Sequence, residues 1–364
     1  ISIFDYPVVS AFLIAFLATA VITPLFIIIN KKLGLLDDPK KHIHPAIIHD
    51  KPIPRGGGIP IFLGILIAAF FFLPHTTTTF GLFAAGFLAL AVGISDDILN
   101  AKGKEISPII RFVINILTAV IVVASGISIK FITNPFGGEI LHLNTIGFVV
   151  PLLQFPLFIS DIISVIWLIW IMNMLNWSKG VDGQMPGIVA ISAIVIGILS
   201  LRLLTGSENN IDAILSFIIA GGALGFLLFN FHPAKIFPGY GTTFLYLFLG
   251  VASILSSAKL ATAVLVMGVP LVDFIFTIIR RILAKKSPFK GDKKHLHHIL
   301  LQLGYNQRQV ALFYWSISAI LGIISLTLES KSKLFAIIMV GVITAGGLFF
   351  LHAVTKHTND DTAS

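Results

Sequence analysis

Cysteine is absent from this 364-residue chain. That excludes disulfides and thiolate metal sites, and it leaves the redox state of the compartment undetermined. Charge is scarce as well: 12% of residues are Asp, Glu, Lys or Arg, against 56% hydrophobic. A soluble domain carries about a quarter charged residues, so a mean hydropathy of +0.96 excludes one. No polar stretch is long enough for a separate extramembrane domain. The net charge of +8 therefore points to lipid headgroups or phosphorylated substrates and not to nucleic acid. The first apolar stretch has no basic leader or small-residue cleavage site, and it reads as a retained helix.

What is present is a succession of apolar spans, near 8–30, 59–73, 80–95, 109–125, 160–176, 187–204, 211–231, 242–256, 260–280, 311–328 and 334–352. Spans of this length suit a hydrocarbon core of roughly 30 Å. The expectation is an all-α polytopic membrane protein of 10–11 transmembrane helices. It forms a single integral domain over 1–355 with a polar cytoplasmic tail at 356–364. Of the 25 Lys and Arg, 20 fall in the gaps on one side and 5 on the other, which marks the first side as cytoplasmic. The N-terminus is then outside. The longest outside segment, 126–159, carries the alternating run Glu139-Ile140-Leu141-His142-Leu143 among Gly and Pro, and it predicts a small external β-hairpin.

Residues able to do chemistry crowd the cytoplasmic gaps. Asp96-Asp97 ends a span whose cytoplasmic end is a helix C-terminus, where carboxylates are ordinarily unfavourable. The pair reads either as a solvated helix stop, helped by Asn100 and Gly103, or as a holder of a divalent cation or a basic group. Asn173 and Asn176 share a helix face, and two amides inside a membrane helix are costly unless they meet a partner. Next come Lys179, Gly180, Asp182 and Gly183. Asp182 reads equally as a helix cap before Pro186.

The largest cytoplasmic loop holds Ser287-Pro288-Phe289-Lys290-Gly291-Asp292 and His295-Leu296-His297-His298. Asp292 is a plausible cap for a short helix in which His295 and His298 share one face and His297 points elsewhere. The segment is either an interfacial helix or an anion site for phosphate. The other eight histidines are scattered, save for His42/His44, which excludes a histidine-box di-iron centre. The first loop adds Asp37-Asp38-Pro39-Lys40-Lys41-His42-Ile43-His44 and Pro52-Ile-Pro54-Arg55-Gly56-Gly57-Gly58, which read as a positive anchor and turn or as phosphate-binding cations and close-approach glycines.

In this order and on this side, the segments from about residue 10 to 350 resemble the polyprenyl-phosphate N-acetylhexosamine-1-phosphate transferase family. The first loop is similar to the family's D-x-P-x-x-R/K-x-H ending in P-x-x-x-G-G. Asp96-Asp97 matches its paired aspartates, and Asn173/Asn176 match its N-x-x-N. The segments Asp273-to-Arg281, Ser287-Pro288-Phe289 and His295-Leu296-His297-His298 resemble the N-acetylglucosamine branch, and the Pro-x-His-His-His of the muramoyl-pentapeptide branch is not seen. Two positions depart from the family. Lys179 stands where the D-G-x-D-G element has its first carboxylate, and Tyr240 stands where the G-D-x-G-S turn has a magnesium-binding aspartate.

The resemblance implies an enzyme of the inner (plasma) membrane. It would move N-acetylhexosamine-1-phosphate, most simply GlcNAc-1-phosphate, from a UDP-amino sugar to polyprenyl (undecaprenyl) phosphate with release of UMP. Asp96, Asp97 and Asp182 would be catalytic, and Asp97 and Asn176 would bind Mg²⁺ or Mn²⁺. Arg55, Asn173, Lys179, His295, His297 and His298 would bind substrate. A homodimer is left open. The alternatives are a UDP-MurNAc-pentapeptide transferase and a catalytically silent lipid-phosphate binding protein or flippase.

Overall fold

The computed structural model describes residues 6–40, 48–134, 139–150, 155–203, 210–255, 260–287 and 295–361. The expected features at Lys41, His42, His44, Gly137-Gly138, Phe289 and Asp292 lie outside them. Among the described residues thirteen α-helices run α1 (Pro7–Lys32), α2 (Gly58–Phe72), α3 (Thr77–Ala101), α4 (Pro108–Ala124), α5 (Ile159–Trp177), α6 (Gln184–Leu203) and α7 (Ile211–Asn230). They continue with α8 (Thr243–Ile254), α9 (Leu260–Val266), α10 (Gly268–Leu283), α11 (Leu296–Gln302), α12 (Gln307–Thr327) and α13 (Ser330–Asp361). Among the described residues, seven helices are long and apolar enough to cross a membrane, and α2, α4 and α8 are shorter apolar helices. This is a multi-pass, all-α membrane protein. The helical backbone of α13 runs on to Asp361, beyond the domain end expected at 355.

The ninth apolar span is helical but broken. It is two helices, α9 and α10, meeting at 79°. Pro270 explains the break: it lacks an N–H, and in a continuous helix its ring would press on the carbonyl of Val266, where α9 ends. The segment 126–159, expected outside, also forms more than the one hairpin expected. A short pair β3/β4 (Phe131–Ile132 with Leu141–His142) is followed by a hairpin of β5 (Gly147–Val150) and β6 (Phe155–Phe158). On the opposite face of the bundle, β1 (Leu36–Asp37) pairs antiparallel with β2 (Ile53–Pro54).

Packing follows the rule for helices in lipid, where small residues face protein and large apolar ones face the bilayer. On α1, Val9, Leu13, Leu17, Val21, Leu25 and Ile28 form an exposed stripe, while Ala11, Ala15, Thr19 and Thr23 are buried. The buried stripe packs on α7 and α2. A Cβ on Gly221 or Gly225 of α7 would strike the carbonyl of Phe12 or Phe16, so these two glycines set the closest approach. Helix α8 is central. All twelve of its residues are buried. At about 18 Å it is too short to span the bilayer alone, but neighbouring helices enclose it.

Candidate active site

Asp97 is buried near the C-terminal end of α3, where the helix dipole opposes a carboxylate. Arg55 Nε donates to its Oδ1 at 2.8 Å, Tyr240 N donates to the same oxygen at 2.9 Å, and Gly241 N donates to Oδ2 at 3.4 Å. Those amides open a 3₁₀ turn, Tyr240–Thr242, that feeds directly into α8. The carboxylate therefore caps the amino end of the central helix, whose partial positive charge offsets the unfavourable end of α3. Gly239 permits this approach. Its φ is +69°, and a Cβ there would collide with the Asp97 carboxylate.

Arg55 is shared among three acceptors. Its Nη1 also donates to Asp37 Oδ2 at 2.7 Å and to Asn100 Oδ1 at 3.0 Å. Burial pulls the guanidinium pKa down, but the Asp97 and Asp37 charges outweigh it and hold the pKa above its ordinary value. Asp96, fully buried, meets a different cation: Arg111 Nη1 donates to its Oδ2 at 3.3 Å, and Ile106 N donates to Oδ1 at 2.8 Å. Arg111 Nη2 pairs with Glu105 at 3.1 Å.

Lys179 is the third cation, half-buried on the loop between α5 and α6. Its Nζ donates to the carbonyl of Gly239 at 2.9 Å. Burial, then the nearby Arg55 charge, pulls its pKa down to about 7. The Tyr240 ring lies beside both remaining cations, with the Arg111 guanidinium carbon 5.1 Å and Lys179 Nζ 5.6 Å from its centre. Its hydroxyl accepts a hydrogen bond from Asn115 Nδ2 at 3.4 Å.

Asp182 does not cap α6. Its Oδ2 accepts from His232 Nδ1 at 2.8 Å and from Ala234 N at 3.0 Å, so it pins the loop after α7. Asn173 Nδ2 donates to Ile169 O within its own helix at 2.8 Å. The buried Oδ1 of Asn176 has no hydrogen-bond partner among the described residues.

The three histidines are all buried, and they are one cluster and not two faces of a helix. His295 is the N-cap of α11 and so escapes the helical periodicity. Its ring stacks on His297 at 5.5 Å with 6° between planes, and His298 lies 4.3 Å from His297. Asp273 of α10 fixes the cluster: its Oδ2 pairs with His295 Nδ1 at 3.0 Å, and its Oδ1 accepts from Leu296 N at 3.0 Å. The His297 ring sits directly on Gly180, where a Cβ would collide with it. The histidine cluster thus adjoins the loop that carries Lys179.

Arg111 and His232 are partners that the sequence did not single out, and Asp273 stood out only as the start of a segment resembling the N-acetylglucosamine branch. Asp273 sits within an apolar span, and an intramembrane carboxylate is itself a signal for a functional partner. Arg111 lay hidden in the basic bias of its side.

A cation such as Mg²⁺ binds through one or two free carboxylates together with substrate phosphates and water. Among the described residues no group of three or more His, Cys, Asp or Glu stands close enough to hold one. Both oxygens of Asp97 already accept hydrogen bonds, Tyr240 is a clamped phenol, and Asp182 is tied to His232. The donors present do not fit Mg²⁺ or Mn²⁺ as the paired metal residues Asp97 and Asn176 had suggested.

The pattern of glycosyl transferase family 4 matches residues 79–257. Over 359 residues the chain is 30% identical to a probable undecaprenyl-phosphate N-acetylglucosaminyl 1-phosphate transferase of Bacillus subtilis, covering 96% of this chain and 92% of that one. It is 31% identical to a decaprenyl-phosphate N-acetylglucosaminephosphotransferase of Mycobacterium leprae, covering 74% and 71%. A phospho-N-acetylmuramoyl-pentapeptide-transferase of Borrelia hermsii is 29% identical, covering 87% and 93%.

Proposed function

This chain belongs to the polyprenyl-phosphate N-acetylglucosaminyl-1-phosphate transferases of glycosyl transferase family 4, and from that premise we propose that it takes its sugar phosphate from a UDP-amino sugar, most simply UDP-GlcNAc, and releases UMP. The observation that carries the reading is the convergence of Arg55, Arg111, Lys179 and the histidine cluster at one end of a bundle whose outer faces are apolar. Cations there suit two phosphorylated substrates, and the apolar faces let a lipid acceptor arrive sideways without its chain crossing water.

In the proposed step an oxygen of the polyprenyl phosphate attacks the β-phosphorus of the UDP-sugar. A new P–O bond forms, the bond from that phosphorus to the bridging oxygen breaks, and UMP leaves with the electron pair. A phosphate has a second pKa near 6, so the dianion present at neutral pH is its own nucleophile. Asp96, whose oxygens already hold Ile106 N and Arg111, then serves by aiming Arg111. His295, His297 and His298 hold diphosphate oxygens, and Asp182 positions the loop at His232. Alignment and neutralisation of developing charge supply the acceleration. The bias of Lys and Arg to one side supports a cytoplasmic position for this face in an inner-membrane protein with its N-terminus outside.

Purified protein with radiolabelled UDP-GlcNAc, UDP-MurNAc-pentapeptide and undecaprenyl phosphate tests the reading. A lipid-linked product with UMP release from UDP-GlcNAc supports it. Product from the pentapeptide donor alone moves the chain to the muramoyl branch. A second reading, a silent lipid-phosphate binder, is favoured by one observation: Asp97 is saturated by internal donors. Binding of lipid phosphate without transfer from any donor would establish it.

A further inference from the structure

We propose that the Lys179 ammonium stands in for a divalent cation, so that the diphosphate of a nucleotide-linked sugar is held by side-chain charge and binds without metal. This rests on the reading of the chain as a transferase that uses such a donor.

The charge pattern argues for it. Arg55 is paired with Asp37 and Asp97, and Arg111 with Asp96 and Glu105. Each of these four carboxylates therefore already has a guanidinium partner, although two guanidinium charges offset only two of the four negative ones. Lys179 differs: among the described residues no carboxylate lies within ion-pairing distance, and its hydrogen bond goes to a neutral carbonyl at Gly239. A dication entering here would meet none of these carboxylates free of a guanidinium partner. To ligate Asp97 it would have to displace Arg55 and strand Asp37, which is itself buried. An anion meets the opposite situation, because it supplies the charge that Lys179 lacks.

The packing agrees. Tyr240 occupies the turn next to Asp97, and its ring contacts both Arg111 and Lys179 without neutralising either. Lys179 is also adjacent in sequence to Gly180, on which the His297 ring rests, so the loop that carries the ammonium abuts the histidine cluster. Burial has lowered the basicity of this ammonium in the empty site, and a phosphate dianion beside it would restore the proton.

The test is calorimetric binding of UDP-GlcNAc, and in parallel UDP-MurNAc-pentapeptide, to the full-length protein in excess EDTA and in excess Mg²⁺. Mn²⁺ binding is read separately by electron paramagnetic resonance. Wild type should bind one donor with a Kd that differs by less than about twofold between the two conditions, and it should leave Mn²⁺ free. Lys179→Met should weaken binding by about tenfold or more in both, the loss expected for a charge-assisted hydrogen bond, and Lys179→Arg should recover part of it. A tenfold weaker Kd in EDTA, or saturable Mn²⁺ binding that Asp97→Asn removes, overturns the proposal. If Lys179→Met does not fold, the wild-type comparison decides alone. Metal-independent binding without lipid-linked product would sink the transferase reading and leave Lys179 in its role. Product formed only with Mg²⁺ would keep the transferase and sink the role of Lys179, and no donor binding in either condition would sink both.

Discussion

Replacing Arg55 by methionine keeps an unbranched apolar stem and removes the guanidinium charge. The substitution leaves Asp97 and Asp37, whose side chains are 4% and 9% exposed, without their cation. Removing one partner of a buried ion pair costs roughly 3–5 kcal/mol, because the remaining charge stays buried. Asp97 keeps the Tyr240 and Gly241 amides, and Arg55 is itself 16% exposed, so the expected loss lies at the lower end, about 3 kcal/mol. Asp97→Asn should also destabilise, because Asp97 caps the turn into α8; loss of turnover in that variant is then not evidence of a metal role. The two changes should not add. Once Asp97 is neutral, removing Arg55 strands only Asp37, and the coupling in a double-mutant cycle should be about 1–3 kcal/mol. Unfolding in detergent, followed by tryptophan fluorescence, measures each corner of the cycle. Additivity within about 0.5 kcal/mol would refute the shared network.

Gly239→Ala should abolish activity and lower stability by about 1–3 kcal/mol, since the new methyl meets the Asp97 carboxylate at a φ of +69°; a thermal melt indistinguishable from wild type counts against the capping geometry. Asp273→Asn should raise the KM for the sugar donor by weakening the hold on His295, with His295→Ala matching it and the double variant no worse than either; additive effects would separate the two residues. Lys179 has a folded pKa of about 7 against an ordinary 10.5, so below pH 7 both states are protonated and the burial penalty is fully present. Between those values the unfolded chain holds the extra proton, so the ligand-free protein should gain stability as pH rises through this window. Denaturation of wild type and Lys179→Met across it should show a slope that the variant lacks.

The helical layout was legible because lipid imposes a simple rule: an apolar run of sufficient length is a helix. All eleven runs fold as helices, and the exception in form, the bend between α9 and α10, was written in Pro270. The hairpin at Gly147–Phe158 was less visible, since Phe155-Pro-Leu-Phe reads as apolar filler without the alternation of a half-buried strand. The site was legible as a list and not as a set of pairs. Asp96 and Asp97 are adjacent in sequence, yet they serve Arg111 and Arg55 on opposite sides, because neighbouring residues on a helix diverge by about 100°. Of the options open for this pair, the basic group is the one the geometry realises. His295 misled the helical wheel because a cap residue has extended backbone and obeys no 3.6-residue period.

Lys179 and Tyr240 are 61 positions apart in the chain, yet they are one change in charge logic. A lysine at 179 beside an aspartate at 240 would collapse into an internal ion pair, since the ammonium already lies 5.6 Å from the ring centre that the carboxylate would replace. An aspartate at 179 beside Tyr240 would put an uncompensated carboxylate against the Gly239 carbonyl, where the present donor would become a repelled acceptor. Each residue is therefore tolerable because the other is present: the phenol brings no charge to quench the ammonium, and the ammonium satisfies a carbonyl and a π face. The outcome is a site in which Asp37, Asp96, Asp97 and Glu105 each have a guanidinium partner, while Lys179, held only by a neutral carbonyl, is left for an anionic ligand.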